Sequence, residues 1–477
     1  MSLRSCVTAV ALVAVQCSWA ATPGRCEQPP TREQALDALR AAAGFFSERV
    51  AIQGGYVYHY SLDLQQRWGE GPAGQDLVWV QPPGTPSVGM ALLRAYDATG
   101  DRYFLTAARR AADALVYGQV RSGGWSNKID VSGMRRGQQH EGGQRRAAGR
   151  SSLDDGQTQS AIEFLIRVDQ ALDFNDQPIH DAARLALDSL LAAQFPNGGF
   201  PQVWKGAVEP RPVVAANYPH YDWRTEGRIK EYWDLYTLND NVCGYVADAL
   251  IAAHKIYDDP RYETALQRLG DFLILAQMPA PQRGWAQQYN EQMEPAWARA
   301  FEPPAVASDE TQEAVETLLK IAAATADNRY LEPIPAALDY LQQSLLTDGR
   351  LARFYELETN RPLYMTRNGR QYSLTYDDSQ LPSHYAFKIP ARLPTLQTRY
   401  RAALQGADPP AVPPRRIAQR AAAIVAGLDQ QGRWVSVYHG GRLVGQPKFQ
   451  SGQPYLSSLV FCRNVRVLCD YLETAAF

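Results

Sequence analysis

Several marks of familiar enzyme classes are missing from this chain. No G-x-S-x-G, H-E-x-x-H or P-loop pattern occurs in its 477 residues, so serine-elbow, zincin and phosphate-loop chemistry have no foothold. Histidine is scarce, at seven residues, and scattered, so each histidine reads as structural or surface-bound rather than catalytic. No Cys/His spacing suggests zinc. There is no long basic run, and a formal net charge of −2 gives nucleic acid no electrostatic footing. Past the N-terminus, no apolar stretch reaches membrane-spanning length. What remains is 45% hydrophobic and 21% charged, the balance of an ordinary globular protein, and long enough for a large core.

The first 21 residues, "MSLRSCVTAVALVAVQCSWAA", are distinct. One charge at Arg4 precedes an apolar stretch and a Ser18-Trp19-Ala20 site, which reads as a secretory signal peptide cut near Ala20 or Ala21. The expected location is therefore secreted or periplasmic, with residues 22–477 forming one catalytic domain. Cleavage leaves Cys26, Cys243, Cys462 and Cys469. Cys462 and Cys469 are two helical turns apart, too far to bridge each other on a helix. That leaves a bridge between Cys26 and one of them open, with Cys243 as a core thiol.

The body of the chain repeats. Amphipathic segments come in pairs: "SVGMALLRAYDATG" with "FLTAARRAADALVYGQ", "TQSAIEFLIRVDQAL" with "IHDAARLALDSLLAAQ", "VCGYVADALIAAHKIY" with "ETALQRLGDFLILAQ", and "TQEAVETLLKIAAAT" with "LEPIPAALDYLQQSLL". Pairs end in turns of one type: "QGGYVY", "SGGWSNK", "NGGFPQVW", "RGWAQQY", "DGRLARFY" and "QGRWVSVY". Successive helical hairpins predict an all-α fold, an α/α toroid with short loop strands, all these turns opening on one face. Glycine ends a helix at positive φ and admits a close approach. Two readings of the following aromatics stand: ligand-facing platforms, or core residues after a plain helix stop.

Acidic residues and arginines cluster beside the turns. Asp154 and Asp155 precede one helix, and Asn239, Asp240 and Asn241 precede its counterpart in the next hairpin. Asp at a helix start is commonly a cap. Two such starts on one face also offer hard oxygen ligands, for which Ca²⁺ is the natural cation. Arg299 lies between Trp297 and Phe301, and Arg353, Arg361, Arg367 and Arg370 are interleaved with aromatics. Guanidinium forks bind carboxylates and rings offer faces to sugars, which points to an acidic carbohydrate.

At "AQFPNGGFPQ", "LNDN", "RGWAQQY...EPAWARAFEPPAVAS" and "ARFYELETNRP" the chain resembles the pectate lyases of polysaccharide lyase family 10, most clearly over 151–373. The resemblance implies Ca²⁺-assisted β-elimination of α-1,4-polygalacturonate. It implies Asp154, Asp155 and Asp240 as metal ligands and Arg299 as the base. Arg353, Arg361, Arg370, Asn239 and Trp297 are implied to bind substrate. The partner is then an acidic polysaccharide met by a monomer, with no nucleic acid or membrane involved. Asp155 stands where that family has Asn, "GQTQS" replaces its Thr-rich continuation, and an insertion, "YPHYDWRTEGRIKEYWDLY", precedes Asn239. Two other classes compete: a toroidal glycoside hydrolase using Asp154, Asp155 or Asp240 as a carboxylate pair, and a non-catalytic polyuronate-binding protein.

Overall fold

The structure, a computed structural model, describes residues 28–134, 149–408, 411–445 and 447–474. The stretch read as a signal peptide, and Cys26 with the bridge left open to it, lie outside the described residues. Twelve α-helices are present among those described: α1 (Arg32–Phe45), α2 (Thr85–Thr99), α3 (Arg102–Gly118), α4 (Gln157–Ala171), α5 (Gln177–Ala192), α6 (Val242–Tyr257), α7 (Pro260–Ala276), α8 (Ser308–Thr325), α9 (Ile334–Gln343), α10 (Leu393–Leu404), α11 (Pro414–Ala426) and α12 (Ser458–Thr474). The eight helices of the four repeated pairs are α2 to α9. Local chemistry sets their starts. Asp101 and Asp259 accept the backbone N–H of Tyr103 and Arg261 and cap α3 and α7, and Thr31 with Gln34 forms a capping box on α1.

Even-numbered helices form an inner layer that meets in the order α12, α2, α4, α6, α8, α10, and odd-numbered ones pack outside it. This is the α/α toroid. One buried cluster runs from Ala35 to Leu472. The sheets are small. The largest joins the chain's two ends, pairing His59–Ser61 with Pro454–Ser457, and an antiparallel hairpin of Pro362–Asn368 and Gln371–Thr375 extends a second sheet. Cys462 and Cys469 both lie on α12 and are not joined to each other. No helix among the described residues is long and apolar enough to cross a membrane.

The glycine turns serve the hairpins rather than a ligand. Gly198 has φ +93°, and a Cβ there would overlap the backbone carbonyl of Arg268 on α7. Gly123, also at φ +93°, sits as tightly on Ser189 of α5, and Gly54, at φ +81°, on Arg110 of α3. Each turn thus docks on the outer helix of the next hairpin. Glutamines at the helix ends repeat the same link. Gln119 Nε2 donates to Gly123 and to Ala182, Gln194 Nε2 to Gly198 and to Ala265, and Gln277 Nε2 to Arg283 and to Pro333. Gly432, after α11, docks on Ala41 of α1, which brings the end of the chain back to its beginning.

The aromatics of these turns go inward. Trp125, Phe200, Trp285 and Tyr355 are buried, and the indole N–H groups of Trp125, Trp285 and Trp434 donate to Leu115, Leu273 and Ile424, carbonyls left open where α3, α7 and α11 end. The core reading of the aromatics therefore holds at these positions, and the sugar-platform reading does not. Gly198→Ala is expected to destabilise the protein by about 2 kcal/mol or more, from a strained φ and a backbone overlap. A thermal melt unchanged from wild type would contradict that.

Candidate active site

The inner helices start at one end of the toroid, where polar residues are buried: Gln157, Thr158 and Gln159 on α4, and Ser308, Glu310, Thr311 and Gln312 on α8. Two short 3₁₀ turns lead into α4 and α6, Asp154–Gly156 and Asn239–Asn241, and the turns touch. In each, two consecutive residues adopt left-handed backbone: Asp155 (φ 45°) with Gly156 (φ 73°), and Asp240 (φ 54°) with Asn241 (φ 57°). A non-glycine residue held there costs on the order of 1–3 kcal/mol. The same strained turn built twice brings Asp154, Asp155 and Asp240 within reach of one another's charge.

Neutral amides hold these carboxylates. Gln81 Nε2 donates to Asp155 Oδ2 (2.6 Å) and to Glu70 Oε1 (3.1 Å). Gln202 Nε2 donates to Asp154 Oδ1 (2.8 Å), and Asn239 Nδ2 to Asp240 Oδ2 (2.7 Å). Among the described residues no ion pair reaches Asp154, Asp155 or Asp240, since the nearby cations are engaged elsewhere, Arg299 with Glu302 and Arg353 with Asp309. The crowding has a price. Loss of hydration, then the charges of Asp154 and Glu70, push the Asp155 carboxyl up to about 6 against the pull of Arg299. Asp155 is exposed at the rim of a concavity, so its carboxyl keeps part of its hydration. Burial, with Asp155 and Asp154, holds the Asp240 carboxyl well above the usual range.

These residues edge a pocket of about 340 Å³ whose far wall is α8, with Asp309, Glu310, Glu313 and Arg353. A depression of similar size, about 350 Å³, lies farther along α4 and α6, but its carboxylates are paired, Glu163 with Arg167 and Asp248 with Lys320.

Arg299 lies beside the acidic group. Its backbone N–H (3.0 Å) and Nε (2.7 Å) both donate to Glu302 Oε2, and Nη2 bonds Oε1. Its guanidinium faces the rings of Phe301 (5.1 Å) and Tyr385 (5.7 Å) rather than that of Trp297. Burial presses the Arg299 pKa down, but the bonds and charge of Glu302, with Asp240, outweigh it, and the net shift is upward. A dry site with nearby cations would have moved it the other way, and Glu302 is the reason it does not. Arg353, partly buried, lies between Asp309 (2.9 Å) and Glu310 (3.7 Å), its guanidinium over Tyr385.

Other singled-out residues are placed differently. Trp297 is 1% exposed, its indole N–H donates to the Trp223 carbonyl (2.7 Å), and Arg228 covers its ring (3.9 Å), so no face is left for a sugar. It anchors the insertion, which is also tied down by Arg224 to Glu356 (2.6 Å) and His220 to Glu294 (2.7 Å). Asn239 is buried and braces Asp240. Arg361 stacks on Tyr376 (3.5 Å), and Arg370 is exposed at the turn joining Pro362–Asn368 to Gln371–Thr375. Neither is bonded to the acidic cluster among the described residues.

Sequence reasoning passed over Glu70, Gln81, Glu302, Glu310 and Tyr385. Glu302 lies inside a quoted motif, three residues after Arg299, and Glu310 falls two residues past that motif's end. Tyr385 carries no local signal, yet its hydroxyl donates to Glu302 Oε1 (3.1 Å) and accepts from Gln287 Nε2 (3.0 Å). Tyr232, from the insertion, feels the charges of Arg299, Glu302, Asp154 and Asp240, and burial chiefly raises its pKa.

Residues 119–352 match the family described as pectic acid lyase. No curated protein matches the chain. A solved family 10 polysaccharide lyase from Cellvibrio cellulosa, a mutant in complex with trigalacturonic acid, is similar at 19% identity and TM-score 0.45, covering 67% of this chain and 98% of that one. The same organism's family 10 lyase without that ligand named is similar at 20% identity and TM-score 0.45, over 65% of this chain and 94% of that one. Cellobiose 2-epimerase from Bacillus thermoamylovorans B4167 is similar at 13% identity and TM-score 0.48, over 93% and 99%.

Proposed function

We propose, from the premise that residues 119–352 belong to the pectic acid lyase family, that this polysaccharide lyase cleaves a polygalacturonate-type polyuronate by β-elimination outside the cytoplasm. One observation carries the reading: three crowded carboxylates, Asp154, Asp155 and Asp240, held by amides and in no ion pair among the described residues, beside Arg299, which is bonded to the buried Glu302.

β-Elimination removes the C5 proton of a uronate, expels the O4 leaving group and leaves a C4–C5 double bond. The substrate carboxylate opposes this by holding charge on C5, so the site needs positive charge near that group. Ca²⁺ fits the acidic cluster by donor chemistry, since the carboxylates offer oxygen and, among the described residues, are held by neutral amides and no ion pair. Among the described residues no three His, Cys, Asp or Glu side chains converge as a finished metal cage, so substrate oxygens would complete the shell. Asp154, Asp155 and Asp240 would hold the ion, which when bound supplies a positive charge for the substrate carboxylate.

Arg299 is the base in this reading. It rests charged because Glu302 keeps it so, and a proton passed from a guanidinium nitrogen to Glu302 leaves the neutral nitrogen that takes the C5 proton. Each pKa unit opposing that transfer costs about 1.4 kcal/mol. Burial is the one local influence that works against the charge.

Incubation of purified protein with polygalacturonate, with and without Ca²⁺, is expected to give calcium-dependent unsaturated product seen by ultraviolet absorbance. Reducing ends without that absorbance would instead indicate a hydrolase using the Asp155 and Asp240 carboxyls, and binding without product would indicate a polyuronate-binding protein. The arginines divide by surroundings. Arg361→Ala is expected to raise KM about tenfold, one charge-assisted contact, with the melting temperature unchanged. Arg353→Ala is expected to lower the melting temperature, because Glu310 loses its countercharge while buried. Equal effects of the two on KM and melting would contradict this division.

A further inference from the structure

We propose that the far wall of the pocket holds a second hard divalent cation, bound by Glu310 and Glu313 of α8 and by the side-chain oxygen of Gln287. Two buried oxygens there have no hydrogen-bond donor, Glu310 Oε2 and Gln287 Oε1. Their residues are 1% and 4% exposed, so neither oxygen is open to bulk solvent. Other buried oxygens of this protein, such as Gln159 Oε1 and Gln194 Oε1, also have no donor; this pair differs because the two orphans belong to side chains bonded to each other, one of them a carboxylate lining the pocket.

The two residues are neighbours. Gln287 Nε2 donates to Glu310 Oε1 (2.9 Å), and also to Asn239 Oδ1 and the Tyr385 hydroxyl (both 3.0 Å). The amide is thus oriented by three acceptors on its nitrogen side, which leaves its oxygen unused. Arg353 does not fill the gap, since it approaches Glu310 at Oε1 (3.7 Å) and makes its shorter contact with Asp309. Glu313 is three residues on from Glu310, on the same face of α8, and lines the same pocket. Carboxylate and amide oxygens with no nitrogen or sulfur select Ca²⁺, Mg²⁺ or Mn²⁺ over softer metals, and the open side of the pocket leaves room for water to complete the shell. This wall is separate from the Asp154, Asp155 and Asp240 cluster, which has its own amides. Asn239 stands between them, donating to Asp240 and accepting from Gln287.

The test is calcium binding by the whole protein without substrate, followed by calorimetry and by luminescence of Tb³⁺, a calcium-sized ion that nearby tyrosines sensitise. Tyr245, which lines the pocket, would supply that excitation. Wild type and Asp154→Ala are both expected to bind an ion that Glu313→Gln loses or binds at least about tenfold more weakly, a difference of about 1.4 kcal/mol. Glu310→Gln should repeat the loss, and circular dichroism melts establish that each variant is folded. Wild-type affinity and stoichiometry in both folded glutamine variants would overturn the proposal. So would one ion that disappears in Asp154→Ala alone, a result that leaves the lyase reading standing. An ion lost in Glu313→Gln but indifferent to Asp154→Ala supports it whether or not unsaturated product is ever seen. No binding at millimolar Ca²⁺ overturns it, because the orphaned oxygens would then be met by a proton.

Discussion

Arg299→Ala is expected to lower turnover of polygalacturonate about 10³-fold while leaving oligouronate affinity nearly unchanged, since proton abstraction belongs to the transition state. The surroundings of Arg299 make the experiment sharper. Glu302 is 1% exposed, and Arg299 donates to it through three nitrogens. Removing Arg299 strands a buried carboxylate, which destabilises the loop. The Arg299→Ala, Glu302→Gln double variant removes that penalty and is expected to recover melting temperature without recovering turnover. Arg299→Lys keeps a charge but loses the planar fork that engages Glu302 at two nitrogens, and should stay poorly active. If the double variant melts like wild type and turns substrate over like wild type, Arg299 has no part in the chemistry. If turnover returns in proportion to stability across the three variants, Arg299 only props the loop between the acidic cluster and Tyr385.

The second large effect is expected from Asp154→Ala combined with Asp240→Ala. This protein should lose calcium stimulation altogether. Its calcium-free form should also melt higher than wild type near neutral pH, because the carboxylates repel one another when no cation is present. The sign follows from Asp155. Folding raises its carboxyl from 3.8 to about 6, so the folded state holds that proton more tightly. Below about pH 4 the group is protonated folded or unfolded and has no effect. As the pH climbs to about 6 the folded state loses stability, and above that the loss is complete. Removing its two acidic neighbours relieves part of the shift, leaving the neighbouring Glu70 charge, and the melting temperature should fall less between pH 4 and pH 7 than in wild type. Melts across that range in chelator, with and without added Ca²⁺, check both parts. Full activity of the double variant in chelator would remove the cluster from the mechanism.

The helical repeat was readable because an amphipathic helix writes its buried face into its own sequence at a period of 3.6 residues. That period identified α2 to α9, and the Asp154–Gly156 and Asn239–Asn241 turns were recognisable as equivalents because each stands directly before the second and third of those hairpins. The same reasoning stopped at residues whose partners are far along the chain. Trp297 reads as a sugar platform beside an arginine, and only its bond to Trp223, 74 residues away, shows it to be an anchor for the insertion. Asn239 reads as a ligand until Gln287, 48 residues on, is found holding it in place. The glycine turns were legible as helix ends, but their purpose is to let one hairpin's turn lie on the next hairpin's outer helix, and nothing local announces which helix that is.

The sequence by itself determined the hairpin architecture, the acidic turns and the resemblance that led to Arg299, all properties carried by contiguous residues. Tertiary structure decided which charges meet. Glu70 and Gln81 reach Asp155 from 74 or more residues upstream, and Tyr385 reaches Glu302 from 83 residues downstream. The pairing of Arg299 with Glu302, which moves the arginine's pKa up instead of down, needs no long-range contact, since three residues separate them. Its strength comes from the burial of Glu302, 1% exposed inside the toroid, a dielectric effect that has no period and no motif.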